Sequence, residues 1–189
     1  MTPAPSKATT NNAILDVFKK SVAVTSPSST SSMKTINVLV VDDSMACRTM
    51  TRKSIMVSGK NTIKIWCDMA ADGKKGVDMV KYNMQFYDTA NTSEGTPATT
   101  GNMKMTCEGV YDMIFMDYQM PVMDGPTAIK AIRAMGFKGR IVGLTGNALQ
   151  SDQDYMRESG ANSILLKPVS QEALEAAIYN RKVNAKKYF

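Results

Sequence analysis

The stretch "VLVVDDSMACR", residues 38–48, runs four apolar residues into two adjacent carboxylates, Asp42 and Asp43. Like charges placed side by side repel unless a cation sits between or beside them. Three more residues of chemical interest each close an apolar run: Asp117 after "YDMIFM", Thr145 after "GRIVGL" and Lys167 after "NSILL". Three carboxylates, a hydroxyl and an ammonium converging on one point suit a particular chemistry. A hard divalent cation such as Mg²⁺ takes oxygen ligands, keeps several waters and completes its shell with phosphate oxygens. Beside such a cation, Asp117 can attack phosphorus and form an aspartyl phosphate. Lys167 and Thr145 would then neutralise charge on the phosphoryl oxygens.

The elements that must position these residues follow from the apolar pattern. "TINVLVV", "TIKIWCDM", "YDMIFMD", "GRIVGLT" and "NSILLK" read as five strands, apolar without polar alternation, which is the mark of a parallel sheet covered on both faces. Helical segments alternate with them. Ser44 stands at an N-cap, with Cys47, Met50, Ser54 and Ile55 as the expected inner face of the first helix. "DGKKGVDMVKYNMQF" is the second helix, "PTAIKAIRAM" has Pro126 in its first turn, and "ALQSDQDYMRESG" is closed by Gly160. The last helix starts at Ser170 and puts Leu174, Ala177 and Ile178 on one face. Asp124, before "GPTAIKAI", reads as a helix cap. The expectation is an α/β fold: a flavodoxin-like, doubly wound, five-stranded parallel sheet, (βα)5, with strand order 2-1-3-4-5. In such sheets ligands sit beyond the carboxyl ends of the strands, where Asp42, Asp43, Asp117, Thr145 and Lys167 all fall.

Residues 1–34 read as a flexible Ser/Thr-rich tail, within which "NAILDVFKKSVAV" is a candidate amphipathic docking helix. The folded domain spans 35–184, and 185–189 form a basic end. Residues 87–110, "YDTANTSEGTPATTGNMKMTCEGV", are too long and too rich in Thr, Gly and Asn for an ordinary loop. They read as an insertion between the second helix and third strand, on the face opposite the strand C-termini.

Composition removes several classes of function. The chain has no histidine, which excludes Ser-His triads, His-ligated metals and a phosphohistidine carried by this chain itself. Its three cysteines, Cys47, Cys67 and Cys107, are odd in number and far apart, so they suit neither a disulfide framework nor a zinc site. Each reads as a small buried hydrophobe. No apolar run approaches the roughly 18 residues of a membrane span, and "MTPAPSKATTNN" lacks the apolar region of a secretory signal. The net charge is +6, but "RKVNAKKYF" suits a solvated helix end better than a nucleic-acid contact, so no nucleic acid or membrane partner is expected.

With "VVDDS", "MDYQMPVMDG", "GLTGNA" and "LLKPVS" in that order, residues 35–183 resemble the receiver domain of two-component response regulators, with wording closest to receivers of hybrid kinases. The resemblance implies Asp117 as phosphoacceptor, Asp42, Asp43 and Asp117 as Mg²⁺ ligands with the Gln119 backbone carbonyl, and Thr145 and Lys167 as phosphoryl contacts. It also implies a cis peptide between Lys167 and Pro168. The family usually carries an aromatic switch residue three places before the lysine, where this chain has Ile164. After Thr145, Gly146 should leave room for the phosphoryl group, and Tyr118 and Gln119 directly follow the acceptor.

The implied function is Mg²⁺-dependent acceptance of a phosphoryl group from a histidine kinase or histidine-phosphotransfer protein. With no residues after the last helix for an output domain, output would run through docking of an output protein, through an intermediate-carrier role, or through service as a phosphate sink. Beyond self-phosphorylation and slow self-dephosphorylation no conventional enzyme activity is expected. The expected location is cytoplasmic, with nucleus and organelles left open. The competing reading is a degenerate receiver used as a phosphorylation-independent scaffold. An aspartyl-phosphate phosphatase would want a second acid two residues after the nucleophile, and Gln119 stands there.

Overall fold

The computed structural model describes residues 33–59, 63–90 and 109–179. The N-terminal tail with its candidate docking helix, Cys107, most of the insertion and the basic C-terminal end lie outside the described residues. Five strands, β1 (Lys34–Val41), β2 (Ile63–Ala70), β3 (Met113–Asp117), β4 (Arg140–Thr145) and β5 (Ser163–Leu166), form one parallel sheet in the order β2-β1-β3-β4-β5. Five helices alternate with them among the described residues: α1 (Met45–Ser58), α2 (Gly73–Ala90), α3 (Gly125–Ala134), α4 (Gln150–Glu158) and α5 (Gln171–Ile178). This is the doubly wound flavodoxin-like arrangement expected from the pattern of apolar runs. None of the described helices is long and apolar enough to cross a membrane.

The unbroken apolar strands fill two cores, one on each sheet face. Leu39, Val41, Ile114 and Met116 pack beneath α2, α3 and α4, whose Val80, Ile129 and Met156 are fully buried. Val38, Val40, Phe115 and Leu144 point the other way, against Ile55 of α1 and Leu174 and Ile178 of α5. Successive strand side chains alternate between faces, so both sets must be apolar. Caps start the helices where the sequence has hydroxyls and carboxylates. The Ser44, Asp124 and Ser170 side chains accept from the N–H groups of Cys47, Thr127 and Ala173 at 3.3, 2.8 and 3.1 Å.

The inner face of α1 departs from expectation. Cys47 and Met50 are exposed, and the buried positions are Arg48, Ile55 and Ser58. The face is rotated because the Arg48 guanidinium donates to the Asp42 carbonyl oxygen and Arg52 Nε donates to the Cys67 carbonyl at 3.2 Å. These arginines cover apolar surface with their stems and satisfy the Asp42 and Cys67 carbonyls with their heads. Cys47 is therefore not a buried hydrophobe, whereas Cys67 is, its thiol pushed up to about 12 by burial. Helix α2 runs on to Ala90, so residues 87–90 of the expected insertion are helical, and residues 91–108 lie outside the described residues.

Glycines set how closely α2 and α3 approach the sheet. A Cβ on Gly125 would stand 2.1 Å from the Asp117 carbonyl oxygen, and one on Gly73 would stand 2.4 Å from that of Met123. The β3–α3 loop between them is tight: Met123 N–H donates to the Pro121 carbonyl at 2.8 Å across Val122, whose φ is 71°. A β-branched residue at that φ is strained. Val122 is 85% exposed, so no packing holds it there. Two variants three residues apart should therefore move stability in opposite directions. Gly125→Ala should cost about 2 kcal/mol by forcing α3 off β3. Val122→Gly should gain about 1 kcal/mol, relief of about 2 offset by about 1 of unfolded-chain entropy. Urea unfolding midpoints at constant slope measure both.

Candidate functional site

Parallel register places the chemistry-bearing residues on one rim. Asp42 and Asp43 follow β1, Asp117 ends β3, Thr145 ends β4 and Lys167 follows β5. Because β3 lies between β1 and β4, Asp117 sits centrally. Backbone bonds fix the ends in place: Tyr118 N–H donates to the Leu144 carbonyl at 2.8 Å, and Lys167 N–H to that of Thr145 at 2.7 Å. The Lys167–Pro168 peptide is cis.

One carboxylate oxygen from each of Asp42, Asp43 and Asp117 lies within 4.8 Å of the other two. Asp42 and Asp117 are buried, and Asp43 is exposed. Lys167 Nζ joins the first two, 2.8 Å from Asp42 Oδ2 and 2.8 Å from Asp117 Oδ1. Asp42 Oδ1 accepts the Ser44 N–H at 2.9 Å, so both of its oxygens are engaged. On Asp117 both contacts fall on Oδ1, which meets Lys167 Nζ and accepts the Tyr118 N–H at 2.9 Å. Oδ2 of Asp117 has no such contact among the described residues.

Burial raises the Asp117 carboxyl above the usual carboxylate range, assisted by the Asp42 charge and only partly opposed by hydrogen bonding to Lys167. For Lys167, burial disfavours the charge, but the hydrogen bonds it donates to Asp117 and Asp42 outweigh it and hold the ammonium above its ordinary value. With all four groups ionised, three carboxylates and one ammonium leave a net charge of two negatives. Hard oxygen donors at this spacing and with this excess charge fit a small divalent cation.

Thr145 stands on the same rim, 1% exposed, but its hydroxyl is turned to Asn147. Oγ1 accepts the Asn147 N–H at 3.0 Å and donates to the Asn147 carbonyl at 3.3 Å. Gln119 lines an open cleft of about 510 Å³ together with Asp43, Tyr118, Met120, Pro121 and Asp124. A Cβ on Gly146 would meet nothing within 4 Å, so the approach beside Thr145 is open. Ile164 is half-buried in the apolar layer under α4, where a Cβ on Gly143 would come within 2.8 Å of its Cδ1 and 2.6 Å of Met156 Sδ. It makes no polar contact with the rim. Tyr118, Asn147 and Asp152 carry side-chain hydrogen bonds around the site that no motif in the sequence had assigned.

A raised Asp117 pKa means that the folded chain binds this proton more tightly than the unfolded chain. The associated stability is present at low pH and is lost as pH rises through the folded-state value. Without added divalent metal, Asp117→Asn should therefore raise the thermal midpoint at pH 7. The gain should shrink as pH falls through the carboxylate range, as a pH series of melts would record.

The chain resembles known proteins. The family model described as "Response regulator receiver domain" matches residues 88–179. Two-component response regulator ORR41 of Oryza sativa subsp. japonica is 31% identical over 141 residues, covering 75% of this chain and 90% of the rice protein. The osmosensing histidine protein kinase SLN1 of Saccharomyces cerevisiae is 30% identical over 145 residues, 76% of this chain but 10% of the kinase. Among solved structures, the Vibrio cholerae chemotaxis protein CheY4 superposes with a TM-score of 0.56 at 23% identity, covering 78% of this chain and 99% of that one. The receiver domain of the Arabidopsis thaliana histidine kinase CKI1 gives 0.58 at 22% identity, covering 79% and 93%.

Proposed function

This chain belongs to the two-component response regulator family, and from that premise we propose that Asp117 accepts a phosphoryl group from a phosphohistidine on a separate protein. The observation that carries the proposal is the rim itself: Asp42, Asp43 and Asp117 within 4.8 Å of one another, with Lys167 bridging two of them. The 189 residues contain no histidine, so the donor imidazole is not among them. A histidine kinase or a histidine-phosphotransfer protein has the required chemistry.

In the transfer, a bond forms between a carboxylate oxygen of Asp117 and phosphorus as the P–N bond breaks. The electron pair leaves with the donor imidazole, which takes a proton from solvent. Oδ2 is the Asp117 oxygen whose lone pairs are uncommitted, since Tyr118 N–H and Lys167 both engage Oδ1. Asp42, Asp43, Asp117 and the Gln119 backbone carbonyl would hold Mg²⁺, which supplies charge neutralisation for the phosphoryl oxygens. Lys167 orients Asp117 and offers a second positive charge. Thr145 must release Asn147 to donate its hydroxyl to a phosphoryl oxygen. The signal then passes through docking to an output protein in the cytoplasm. Scaffold use without phosphorylation would leave two buried carboxylates and their shared lysine without a purpose.

Incubation with acetyl phosphate or phosphoramidate, with and without Mg²⁺, followed by intact-mass measurement, tests the proposal. The expected result is a Mg²⁺-dependent gain of one phosphoryl group that Asp117→Asn abolishes. A folded protein that stays unlabelled where another receiver labels would overturn it.

A further inference from the structure

The Thr145 hydroxyl is the first member of a chain of hydrogen bonds that leaves the rim. Its partner Asn147 donates through Nδ2 to Asp152 Oδ2 at 2.7 Å, and Asp152 lies in the first turn of α4. The other Asp152 oxygen, Oδ1, accepts from the Tyr118 hydroxyl at 3.5 Å. Tyr118 directly follows Asp117, and its backbone N–H donates to Asp117 Oδ1. One carboxylate on α4 is thus held from both sides by residues tied to the reacting centre. Thr145 reaches it through Asn147, and Asp117 reaches it through Tyr118.

Helix α4 is also the helix that most needs such support. Its N-cap residue is Leu149, which has no side-chain cap. The Asn147 side chain serves instead, Oδ1 accepting the Leu149 N–H at 3.2 Å while Nδ2 holds Asp152. The loop from Gly146 to Leu149 is exposed, and a Cβ on Gly146 meets open space, so nothing wedges the loop in place. Ile164 packs under the same helix against Met156 and can pass on pressure but no hydrogen bond.

We infer that Asp152, held between Asn147 and Tyr118, is the positioning residue through which occupation of the Asp117 site is transmitted to the first turn of α4. The inference rests on the phosphoacceptor reading above. A hydroxyl has one proton, so Thr145 can donate to a phosphoryl oxygen only by giving up the Asn147 carbonyl. That exchange opens the turn at Asn147 and loosens both supports of the α4 N-terminus. Tyr118, in the tight β3–α3 loop, keeps its hold on the other oxygen of the same carboxylate. The exposed face that would report the change carries Tyr155, with Lys130 Nζ lying 4.5 Å from its ring centroid.

The test follows ¹⁵N-labelled full-length chain by backbone amide NMR before and after acetyl phosphate with Mg²⁺, with intact mass taken on the same samples. Wild type should label and shift the amides of residues 147–153, while α5 residues 171–178 stay in place as an internal reference. Asp152→Ala should label to the same extent, with its displacements at residues 150–153 reduced to the level of α5. Tyr118→Phe removes a single hydroxyl and should reduce them partially. It keeps the test sharp if Asp152→Ala fails to fold. Labelling with equal α4 displacements in wild type and both variants overturns the relay and leaves the phosphoacceptor reading intact. No labelling of wild type overturns both.

Discussion

Lys167 stands 2.8 Å from Asp42 Oδ2 and 2.8 Å from Asp117 Oδ1, and much of the fold is arranged so that it can. Asp42 is fully buried and Asp117 is 6% exposed. Two ionised carboxylates taken that far from water would cost several kcal/mol each without a shared cation. Neither acid lies near the lysine in sequence; 125 residues separate Lys167 from Asp42. Only the parallel order, with β1 beside β3 and β3 beside β4 and then β5, brings the three strand ends together. The apolar strand interiors supply the burial free energy that holds this order, and the rim spends part of it. The raised pKa of Asp117 records that the lysine's compensation is incomplete.

The same rim is stiffened by close backbone packing. Gly125 sits where any side chain would strike the Asp117 carbonyl, and Gly73 where one would strike that of Met123. The loop carrying Tyr118 and Gln119 is therefore clamped between the starts of α2 and α3. Its strain is concentrated at Val122, the non-glycine residue with positive φ among the described residues. Strain at an exposed valine costs stability with no packing in return, which suits a loop whose shape is dictated by the acceptor beside it. By contrast the β4–α4 loop is held by side-chain hydrogen bonds of Thr145, Asn147 and Gln153. One wall of the site is built from backbone contact and the other from exchangeable polar contacts.

This difference explains how much of the protein was legible in its sequence. Strands buried on both faces must be apolar throughout, so five runs and the residues that end them could be read directly, and with them the convergence of Asp42, Asp43, Asp117, Thr145 and Lys167 on one rim. Caps at Ser44, Asp124 and Ser170 were legible for the same local reason. The inner face of α1 was not, because hydrophobic periodicity counts Met50 and Cys47 as inward and treats Arg48 as outward. The carbonyls of Asp42 and Cys67, which accept from the two arginines, reverse that order, and backbone acceptors leave no trace in a hydropathy pattern. Asn147 and Asp152 were missed because a loop asparagine and a first-turn aspartate each have ordinary local uses. Only the three-dimensional meeting of Asp152 with Tyr118, 34 positions away, sets them apart.

The two rim donors differ in what an incoming phosphoryl group would offer them. Lys167 already serves two carboxylates, so a phosphoryl oxygen replaces one anion with another and its net gain is small. The Thr145 hydroxyl serves a neutral backbone carbonyl at 3.3 Å. Exchanging that acceptor for an anionic oxygen replaces a hydrogen bond worth about 1 kcal/mol by one worth about 2. A conformational shift can be driven only by a free energy that differs between the two states. Of the two donors, the threonine therefore has the differential to shift, and the lysine holds the acceptor in place. A gain of about 1 kcal/mol changes a two-state population by roughly fivefold, enough to bias a loop that is held by a few polar contacts. It would be too little to move one clamped between Gly73 and Gly125, so the β4–α4 wall would yield while the loop after Asp117 kept its geometry.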